Sequence, residues 1–270
     1  MGSLVIEESL RTAMEWISQA DALLVVSGGS GMSSDASLPT LTGSRADRKV
    51  WPGLRDLGLA FEDMCNERWF TDDPALAWAF WLPICRRYME SEPDRGYGIV
   101  LDWAQRAPCQ SFVATSSVDS HWAACGWSEA RLWELRGASH WLQCSKRCSG
   151  QTWPLPDLKL SEDHESHRAV GDLPRCSNCG AVARPFVKMF GKDASFNDQA
   201  SLEQRARYEA WLASVVRTER QKAEKAEENL REGAEPLLVC LELGCGPGSE
   251  PRLVVEEALS QAGAAGRLIR

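Results

Sequence analysis

The sequence lacks several features that would place it in other classes of protein. No apolar run approaches the ~20 residues needed to span a bilayer, and no internal repeat is evident. The first twenty residues carry three glutamates but neither the basic start nor the apolar centre of a signal peptide. We therefore expect an intracellular protein, cytoplasmic or nuclear, that does not bind a membrane.

Positive charge is also scarce. The chain has 30 Lys and Arg against 38 Asp and Glu, which gives a net charge of −8 and a pI of about 5.2. Because nucleic-acid binding draws on clustered basic side chains, this composition disfavours nucleic acid as the main partner. With 270 residues, 44% of them apolar, the chain is long enough for one large domain with a smaller insert.

Ten cysteines are present, and in a reducing compartment we expect metal ligands and core thiols rather than disulfides. Cys144 and Cys148 form a C-x3-C pair, and Cys176 and Cys179 form a C-x2-C pair 27 residues further on. Two such pairs predict a closed structural zinc site. Residues 140–190 otherwise show little periodicity, so we expect this segment to need the metal for folding. The other six cysteines are interpreted as buried apolar residues: Cys65, Cys85, Cys109, Cys125, Cys240 and Cys245.

Hydrophobic patterning predicts an alternation of strands and helices, which indicates an α/β fold with a Rossmann-type parallel sheet. The apolar run at 22–27 is typical of a buried parallel strand, and Gly28, Gly29 and Gly31 end it. A strand followed by a glycine loop is the usual entrance to a dinucleotide-binding fold. Further strands are predicted over 110–115, 131–135, 236–243 and 267–269.

Helical spacing accounts for most of the remaining chain. In the first predicted helix one face carries Ile6, Leu10, Met14 and Ile17. In the second, one face carries Trp78, Trp81, Leu82 and Cys85, and we expect this face in the core. The polar stretch 219–232 is expected to be solvated or to bind a partner protein. The helices are predicted over 5–20, 51–90, 98–106, 202–231 and 251–262.

Four short motifs follow one another along the chain. Residues 29–43 read G-S-G-M-S-S-D-A-S-L-P-T-L-T-G, 115–120 read T-S-S-V-D-S, 134–137 read E-L-R-G, and 183–191 read A-R-P-F-V-K-M-F-G. They resemble G-A-G-x-S/G-x-x-S-G-I/L-P-D-F-R-G, T-S/Q-N-V/I-D-G, E-x-H-G and L-R-P-x-V-V-x-F-G of the sirtuins, the NAD-dependent protein deacylases. Residues 66–81 are similar to a bacterial-type branch of that family. The resemblance covers nearly the whole chain and implies a site for NAD or ADP-ribose.

The resemblance also implies which residues contact the nucleotide. Gly31 would let the backbone approach a pyrophosphate, beside a helix N-terminus that favours anions. Asp119 would accept a hydrogen bond from the carboxamide or from a ribose hydroxyl. The stretch 241–249 matches its sirtuin counterpart poorly but lies in the corresponding place. The implied cofactor-binding residues are Gly29, Gly31, Ser33, Pro39, Thr115, Ser117, Asp119, Gly244, Cys245 and Gly246.

The departures from the sirtuin motifs fall on residues that carry the chemistry. Arg136 stands where the family has its catalytic histidine, and Ser117 stands where it has an asparagine; Thr-Leu-Thr at 40–42 replaces Asp-Phe-Arg. Arginine has no acceptor lone pair and stays protonated near neutral pH, so Arg136 cannot act as a base. Losing a general base typically costs ~10²–10⁴ in rate. We therefore expect impaired catalysis at Arg136 and Asp119, with Arg136 free to pair with an anionic ligand.

Three functions are compatible with these residues. The first is a protein that binds NAD or ADP-ribose, and a partner protein, with slow turnover or none. The second is a working deacylase or ADP-ribosyltransferase that acts on an acyl-lysine protein and uses a displaced base, either His121 or His140. The third is a scaffold that keeps the zinc and binds no nucleotide. His164 and His167 lie in an acidic loop and are expected to be solvated.

The same pattern predicts two structural parts. The Rossmann part comprises 1–43, 92–139 and 191–270. The small domain comprises a helical insert at 44–91 and the zinc module at 140–190. We expect the ligand cleft between the two parts, at the carboxyl ends of the parallel strands.

Overall fold

A computed structural model of the chain describes residues 2–28, 31–32, 51–106, 110–228 and 238–270. Its strands are β1 Ala22–Ser27, β2 Gln110–Thr115, β3 Leu132–Glu134, β4 Gly137–Cys144, β5 Thr152–Pro154, β6 Ser161–Asp163, β7 Arg168–Val170, β8 Ala183–Val187, β9 Leu238–Leu243 and β10 Gly266–Ile269. Its α-helices are α1 Gly2–Gln19, α2 Gly53–Asp56, α3 Phe61–Met64, α4 Trp69–Asp72, α5 Pro74–Glu90, α6 Arg95–Arg106, α7 His121–Ala124, α8 Asp198–Glu228 and α9 Glu250–Ala262.

A parallel sheet forms the larger layer of the described structure. Its strand order is β10-β9-β1-β2-β3, and every neighbouring pair of strands is parallel. The central strand β1 is buried along its whole length, as expected for a parallel strand that is covered on both faces. The predicted α/β class is therefore confirmed, and the strands predicted at 22–27 and 110–115 have the predicted bounds.

Helices cover both faces of this sheet. On one face, α8 and α9 pack through Tyr208, Trp211 and Val255. On the other face, α6 packs through Tyr97 and Val100. None of the described helices combines the length and the apolar character that a bilayer-spanning helix needs.

The apolar face predicted for the first helix is only partly buried. Trp16 and Ile17 of α1 pack against the sheet, whereas Ile6, Leu10 and Met14 are 63%, 60% and 69% exposed. The spacing correctly predicts a helix over this segment. It does not predict which apolar residues meet the sheet, because α1 makes that contact near its C-terminal end.

The tryptophan-rich segment forms several helices, of which α5 is the longest. This helix begins where the Asp73 carboxylate accepts a hydrogen bond from the backbone N–H of Leu76 at 3.1 Å and where Pro74 occupies the first turn. An aspartate cap followed by proline is a strong signal for a helix start. The predicted core face of this helix is confirmed, since four side chains along it are buried: Trp78, Trp81, Leu82 and Cys85.

The cysteine-containing segment builds more structure than its weak periodicity predicts. Strands β5, β4 and β8 form an antiparallel sheet, and β6 pairs with β7. Leu142, Leu155 and Leu160 of this segment are buried in one cluster with the side chains of α5. Because two segments distant in the sequence share this core, neither segment shows it alone.

The expectation that His167 is solvated is wrong, although His164 is exposed as expected. The side chain of His167 is 8% exposed, with Nδ1 3.0 Å from Glu162 Oε1 and Nε2 3.3 Å from Asp56 Oδ2. Its ring also lies edge-on to Trp51. Asp56 and Trp51 come from the distant helical segment, so the acidic loop by itself gives no sign of this burial.

A buried ion pair joins β8 to the loop that follows it. Arg184 and Asp193 have fully buried side chains, and the guanidinium donates to both carboxylate oxygens, at 2.7 and 2.6 Å. It also donates to the Val187 carbonyl at 2.6 Å and to the Ser195 hydroxyl. Burial alone would raise the pKa of Asp193, but hydrogen bonds and charge from Arg184 outweigh it and hold this pKa below 3.8. The stabilisation is therefore present above that pH and is lost as the pH falls through the lowered pKa.

We expect Arg184→Gln to destabilise the protein by about 3–5 kcal/mol, because it leaves the Asp193 carboxylate buried without its counter-charge. Arg205→Gln is a matched control, since Arg205 pairs with Glu209 at 2.8 Å on the surface and such pairs contribute about 0.5 kcal/mol or less. Urea unfolding followed by tryptophan fluorescence measures both variants. Equal losses in the two variants would contradict the role given to the buried pair.

Candidate functional site

A buried hydroxyl network fixes the carboxyl ends of β1 and β2. Ser27 Oγ donates to Thr115 Oγ1 at 2.7 Å, and Ser27 Oγ accepts from the indole N–H of Trp122 at 2.9 Å. Thr115 Oγ1 also accepts from the backbone N–H of Ser117 at 3.0 Å. Thr115, which the resemblance implies as a nucleotide contact, therefore uses its hydroxyl inside the protein, where it orients the chain that leaves β2.

Glycines allow a second close approach, between the loops after β1 and β9. A Cβ on Gly244 would lie 2.6 Å from the Cα of Gly31, and Gly244 has a φ of 63°. The backbone of Gly28 is equally close, since a Cβ added to Gly28 would lie 2.5 Å from the carbonyl oxygen of Gly244. Only glycine fits this crossing without strain. In the described structure Gly31 is thus a packing position between two loops.

A cleft of 270 Å³ opens beside this crossing. Its lining includes Ser116, Ser117, Gly246, Trp81 and Met189. The cleft lies at the carboxyl ends of parallel strands, where open α/β sheets bind their ligands.

The cleft contains an unsatisfied polar group. The hydroxyl of Ser249 is buried there and has no hydrogen-bond partner among the described residues. Buried polar groups in native proteins are nearly always paired with protein, water or ligand. The cleft is therefore suited to a ligand that offers a hydrogen bond at this point.

Arg136, whose orientation the sequence leaves open, lines the cleft and pairs with a carboxylate. Its Nε is 3.3 Å from Glu250 Oε2, and Lys188 Nζ is 3.7 Å from Glu250 Oε1. The backbone N–H of Lys188 donates to the Arg136 carbonyl at 2.9 Å, which keeps the two cations side by side. No single motif predicts this group of three charged side chains, because Glu250 is the first residue of α9 and lies far from Arg136 in the sequence.

Ser117 and Asp119 diverge after β2. Ser117 lines the cleft, and its hydroxyl donates to Asp119 Oδ2 at 2.6 Å. The other carboxylate oxygen of Asp119 accepts from the backbone N–H of His121 at 3.0 Å. Asp119 is buried and lines a second cavity of 300 Å³. Ser117 and Asp119 are thus hydrogen-bonded to each other, and Ser117 lines the cleft while Asp119 lines the second cavity.

The remaining residues predicted to contact the nucleotide give less information about the site. Gly29, Ser33, Pro39 and the replaced residues 40–42 lie outside the described residues. Gly246 lines the cleft. The half-buried thiol of Cys245 contacts the Leu243 carbonyl at 3.5 Å, and burial raises the pKa of this thiol to about 11.

The two candidates for a displaced base lie away from the described cleft lining. His121 is 1% exposed, and its Nε2 is 2.9 Å from Ser91 Oγ. His140 is half-buried, and its Nδ1 is 2.8 Å from Ser120 Oγ. Both imidazoles line the second cavity, so neither replaces Arg136 at the same place. The sequence motifs give no sign that Ser91 and Ser120 belong to this site, because their pairing with the two histidines depends on the tertiary structure.

The four motif cysteines converge at the end of β4. Cys144 Sγ lies 3.5 Å from Cys179 Sγ, and Cys148 Sγ lies 3.4 Å from Cys176 Sγ. All four sulfur atoms lie within 4.8 Å of one another. Tetrahedral zinc has Zn–S bonds of about 2.3 Å, which separates the sulfurs by about 3.8 Å. The cluster therefore fits a zinc ion.

The prediction that the remaining cysteines are buried is confirmed for three of the five that the structure describes. Cys65, Cys85 and Cys240 are buried, and Cys125 and Cys245 are half-buried. Cys109 lies outside the described residues.

Known proteins with similar sequences are NAD-dependent deacylases and related enzymes, although no family model matches the chain. NAD-dependent protein deacylase 2 of Pseudomonas aeruginosa is 27% identical over 67% of this chain and 65% of its own length. A probable bifunctional ADP-ribose hydrolase/ADP-ribosyltransferase of Fusarium oxysporum is 27% identical over 88% of this chain and 38% of its own length. The NAD-dependent protein deacylase of Deinococcus radiodurans is 29% identical, over 75% and 77%. The chain thus spans less than two thirds of the first two relatives.

Solved structures show the same fold. A Sir2 homologue in complex with NAD superimposes with a TM-score of 0.63 at 18% identity, over 96% of this chain and 82% of the other. A mutant Sir2 homologue in complex with ADP-ribose gives a TM-score of 0.62 at 16% identity, over 95% and 83%. The chain therefore has the Sir2 fold. Its sequence is similar to those of NAD-dependent protein deacylases and its fold is that of Sir2, as its motifs predict, and its four-cysteine cluster fits zinc.

We expect Gly244→Ala to cost at least about 2 kcal/mol, because a Cβ adds left-handed strain and a clash with Gly31. Gly246→Ala is the control on the same loop, since a Cβ there meets nothing within 4 Å. Chemical denaturation of the two variants measures the difference. Similar stabilities would show that the loop crossing is not as tight as described.

Proposed function

We propose that this protein binds NAD or ADP-ribose in the cleft, holds a structural zinc ion at its four cysteines, and turns over slowly or not at all. The observation that carries the proposal is the placement of Arg136. A permanently charged guanidinium stands in the cleft where the motif predicts a base, and it is already paired with Glu250 at 3.3 Å.

Three features support a nucleotide as the ligand. The cleft occupies the ligand position of an open parallel sheet, and it holds the unsatisfied hydroxyl of Ser249. Two cations, Arg136 and Lys188, share the single carboxylate of Glu250, which leaves a net positive charge for phosphates. Solved neighbours of the same fold were crystallised with NAD and with ADP-ribose.

Impaired catalysis follows from what the cleft side chains can do. Arg136 cannot accept a proton near neutral pH. The Ser117 hydroxyl donates to Asp119 at 2.6 Å, so its proton is not available to a ligand. His121 and His140 line the other cavity. Among its described residues the cleft therefore offers phosphate-binding charge and no imidazole, and its carboxylate, Glu250, is paired with Arg136 and Lys188.

Zinc would act structurally at the four cysteines, because all four tetrahedral positions would be filled by protein sulfur. The backbone N–H of Lys146 donates to Cys144 Sγ at 3.4 Å, and the Asn178 side chain donates to Cys148 Sγ at 3.3 Å. Such donors stabilise thiolates and orient them towards a metal. The ion would tie the end of β4 to the turn before β8.

We expect ADP-ribose to bind, while nicotinamide release from NAD with an acetyl-lysine peptide runs ~10²–10⁴ below the rate of a sirtuin with its histidine. Calorimetry measures the affinity, and chromatographic detection of nicotinamide measures the rate. Arg136→His should raise the rate, because an imidazole with a pKa near 6.5 can accept the proton.

The outcomes separate the candidate functions. Fast nicotinamide release by the wild type would contradict impaired catalysis and would support a working deacylase. No ADP-ribose binding by the wild type would contradict the nucleotide site and leave a zinc-containing scaffold. Arg136→Ala, which removes the charge without adding a base, is the matched control for the histidine variant.

We expect one zinc ion per chain, and its removal should unfold the small sheets, because structural zinc contributes roughly 10–16 kcal/mol to such modules. Zinc is quantified after release by a mercurial thiol reagent, and folding is followed by thermal melting. Cys176→Ser should lose the ion, whereas Cys125→Ser, outside the cluster, should keep it. Unchanged melting after complete zinc removal would refute a structural role.

A second candidate function is ADP-ribosyl transfer to a protein. The Fusarium relative, described as a probable ADP-ribose hydrolase/ADP-ribosyltransferase, aligns with 88% of this chain. An acyl-lysine protein is the alternative partner, since one neighbour of the same fold holds a p53 peptide with NAD. NAD that is labelled in its ADP-ribose part distinguishes the two reactions, because only ADP-ribosyl transfer leaves the label on the protein.

A further inference from the structure

The second cavity contains two serine–histidine pairs that the proposed nucleotide site does not use. Ser91 pairs with His121, and Ser120 pairs with His140, at 2.9 and 2.8 Å. The cavity has a volume of 300 Å³ and includes the apolar side chain of Met89. Its size and its mixture of apolar and hydroxyl groups suit a small organic ligand.

Ser120 has a backbone conformation that only glycine adopts without strain. Its φ is 62°, in the left-handed region, and the sirtuin motif that it resembles has glycine here. The serine hydroxyl does not cap the following helix, so helix capping does not explain the side chain. A serine in this backbone conformation at a cavity wall is an outlier of the kind that suggests a use for its side chain.

His140 is aimed at Ser120 by an irregularity in its strand. The pairing of β4 with β8 changes register between Ala138 and Leu142, and His140 lies within this irregular stretch. Its side chain is therefore not held in the regular alternation of a paired strand. The result is a hydrogen bond of 2.8 Å between Ser120 Oγ and His140 Nδ1.

Glu134 is a second hydrogen-bond partner of the Ser120 hydroxyl, in addition to His140. Its Oε1 lies 3.2 Å from the same Ser120 oxygen. A hydroxyl has one proton, so Ser120 donates either to Glu134 or to His140. When Glu134 is protonated it becomes the donor, and the Ser120 proton is then directed to His140.

We propose that this cavity is a second reactive site, in which Ser120 is a nucleophile towards small activated esters and His140 is its general base. Ser120 Oγ attacks the carbonyl carbon while its proton passes to His140 Nδ1. The bond from carbon to the leaving oxygen breaks, and that oxygen takes the proton from His140. Water then hydrolyses the Ser120 ester by the same proton path, which releases the acid and restores the hydroxyl.

The protonation states of the neighbours support this role. Burial raises the pKa of Glu134 to about 7, with a further contribution from the Asp119 charge. Burial lowers the pKa of His140, against the opposing charge of Glu129. Arg207 also faces the small cavity between Glu134 and His140. A protonated Glu134 beside a neutral His140, the reactive arrangement, is therefore favoured from the lowered pKa of His140 up to about pH 7.

A fluorophosphonate, which replaces fluoride with a serine oxygen at phosphorus, tests the proposal on the full-length protein. We expect one label per chain, on Ser120 by peptide mapping. His140→Ala should slow labelling at least ~10²-fold, as loss of a general base does. Ser120→Gly should fold, because glycine relieves the positive φ, and should remain unlabelled. Ser91→Ala should label like the wild type. The assay contains no nucleotide, so its result is independent of the proposed cleft function.

Glu134→Gln tests the positioning role of Glu134. A carboxamide donates to Ser120 but does not titrate, so labelling of this variant should stay constant above pH 7, where the wild-type rate falls. A label on Ser91, no label on the folded protein, or an unchanged rate in His140→Ala would overturn the proposal. Equal labelling of native and urea-unfolded protein would also overturn the proposal.

Discussion

The buried hydrogen bond between Ser27 and Thr115 is the contact on which both cavities depend. It joins the carboxyl ends of two parallel strands at 2.7 Å, and both hydroxyls are buried. Leaving either one without its partner costs about 1–3 kcal/mol, so the chain that leaves β2 has one favoured direction. That direction places Ser117 in the cleft and Ser120 in the second cavity.

Charge distinguishes the two cavities. The cleft contains a permanent cation, Arg136, whose carboxylate partner Glu250 is shared with Lys188. A guanidinium suits anion binding more than proton transfer. The second cavity has no such cation in its described lining, but it contains imidazoles and hydroxyls at hydrogen-bond distance. The described imidazoles near the cleft thus line the second cavity, whereas the charged groups of the cleft are paired with one another.

Sequence patterns predicted features that depend on neighbouring residues. The apolar run of β1, the stripe on α5 and the two cysteine pairs all reflect spacing along one segment, so they can be read without the fold. Ordered motifs also predicted the Sir2 fold. Hydrophobic spacing was less informative about burial in α1 and in residues 140–190, because burial there depends on contact with another segment of the chain. His167 was misjudged for the same reason, since Asp56 and Trp51 enclose it from another segment.

The sequence by itself determined the fold class and the cysteine cluster, because both follow from residue type and local spacing; the resemblance to the sirtuins implied that Arg136 stands at the position of a base. Only the tertiary structure decided that Arg136 meets Glu250, that Asp119 is buried against Ser117 and His121, and that Ser120 lies between His140 and Glu134. These contacts join strands, loops and helices that are far apart in the sequence, and they depend on backbone angles and sheet register. A linear pattern specifies neither, because both are set by packing between segments.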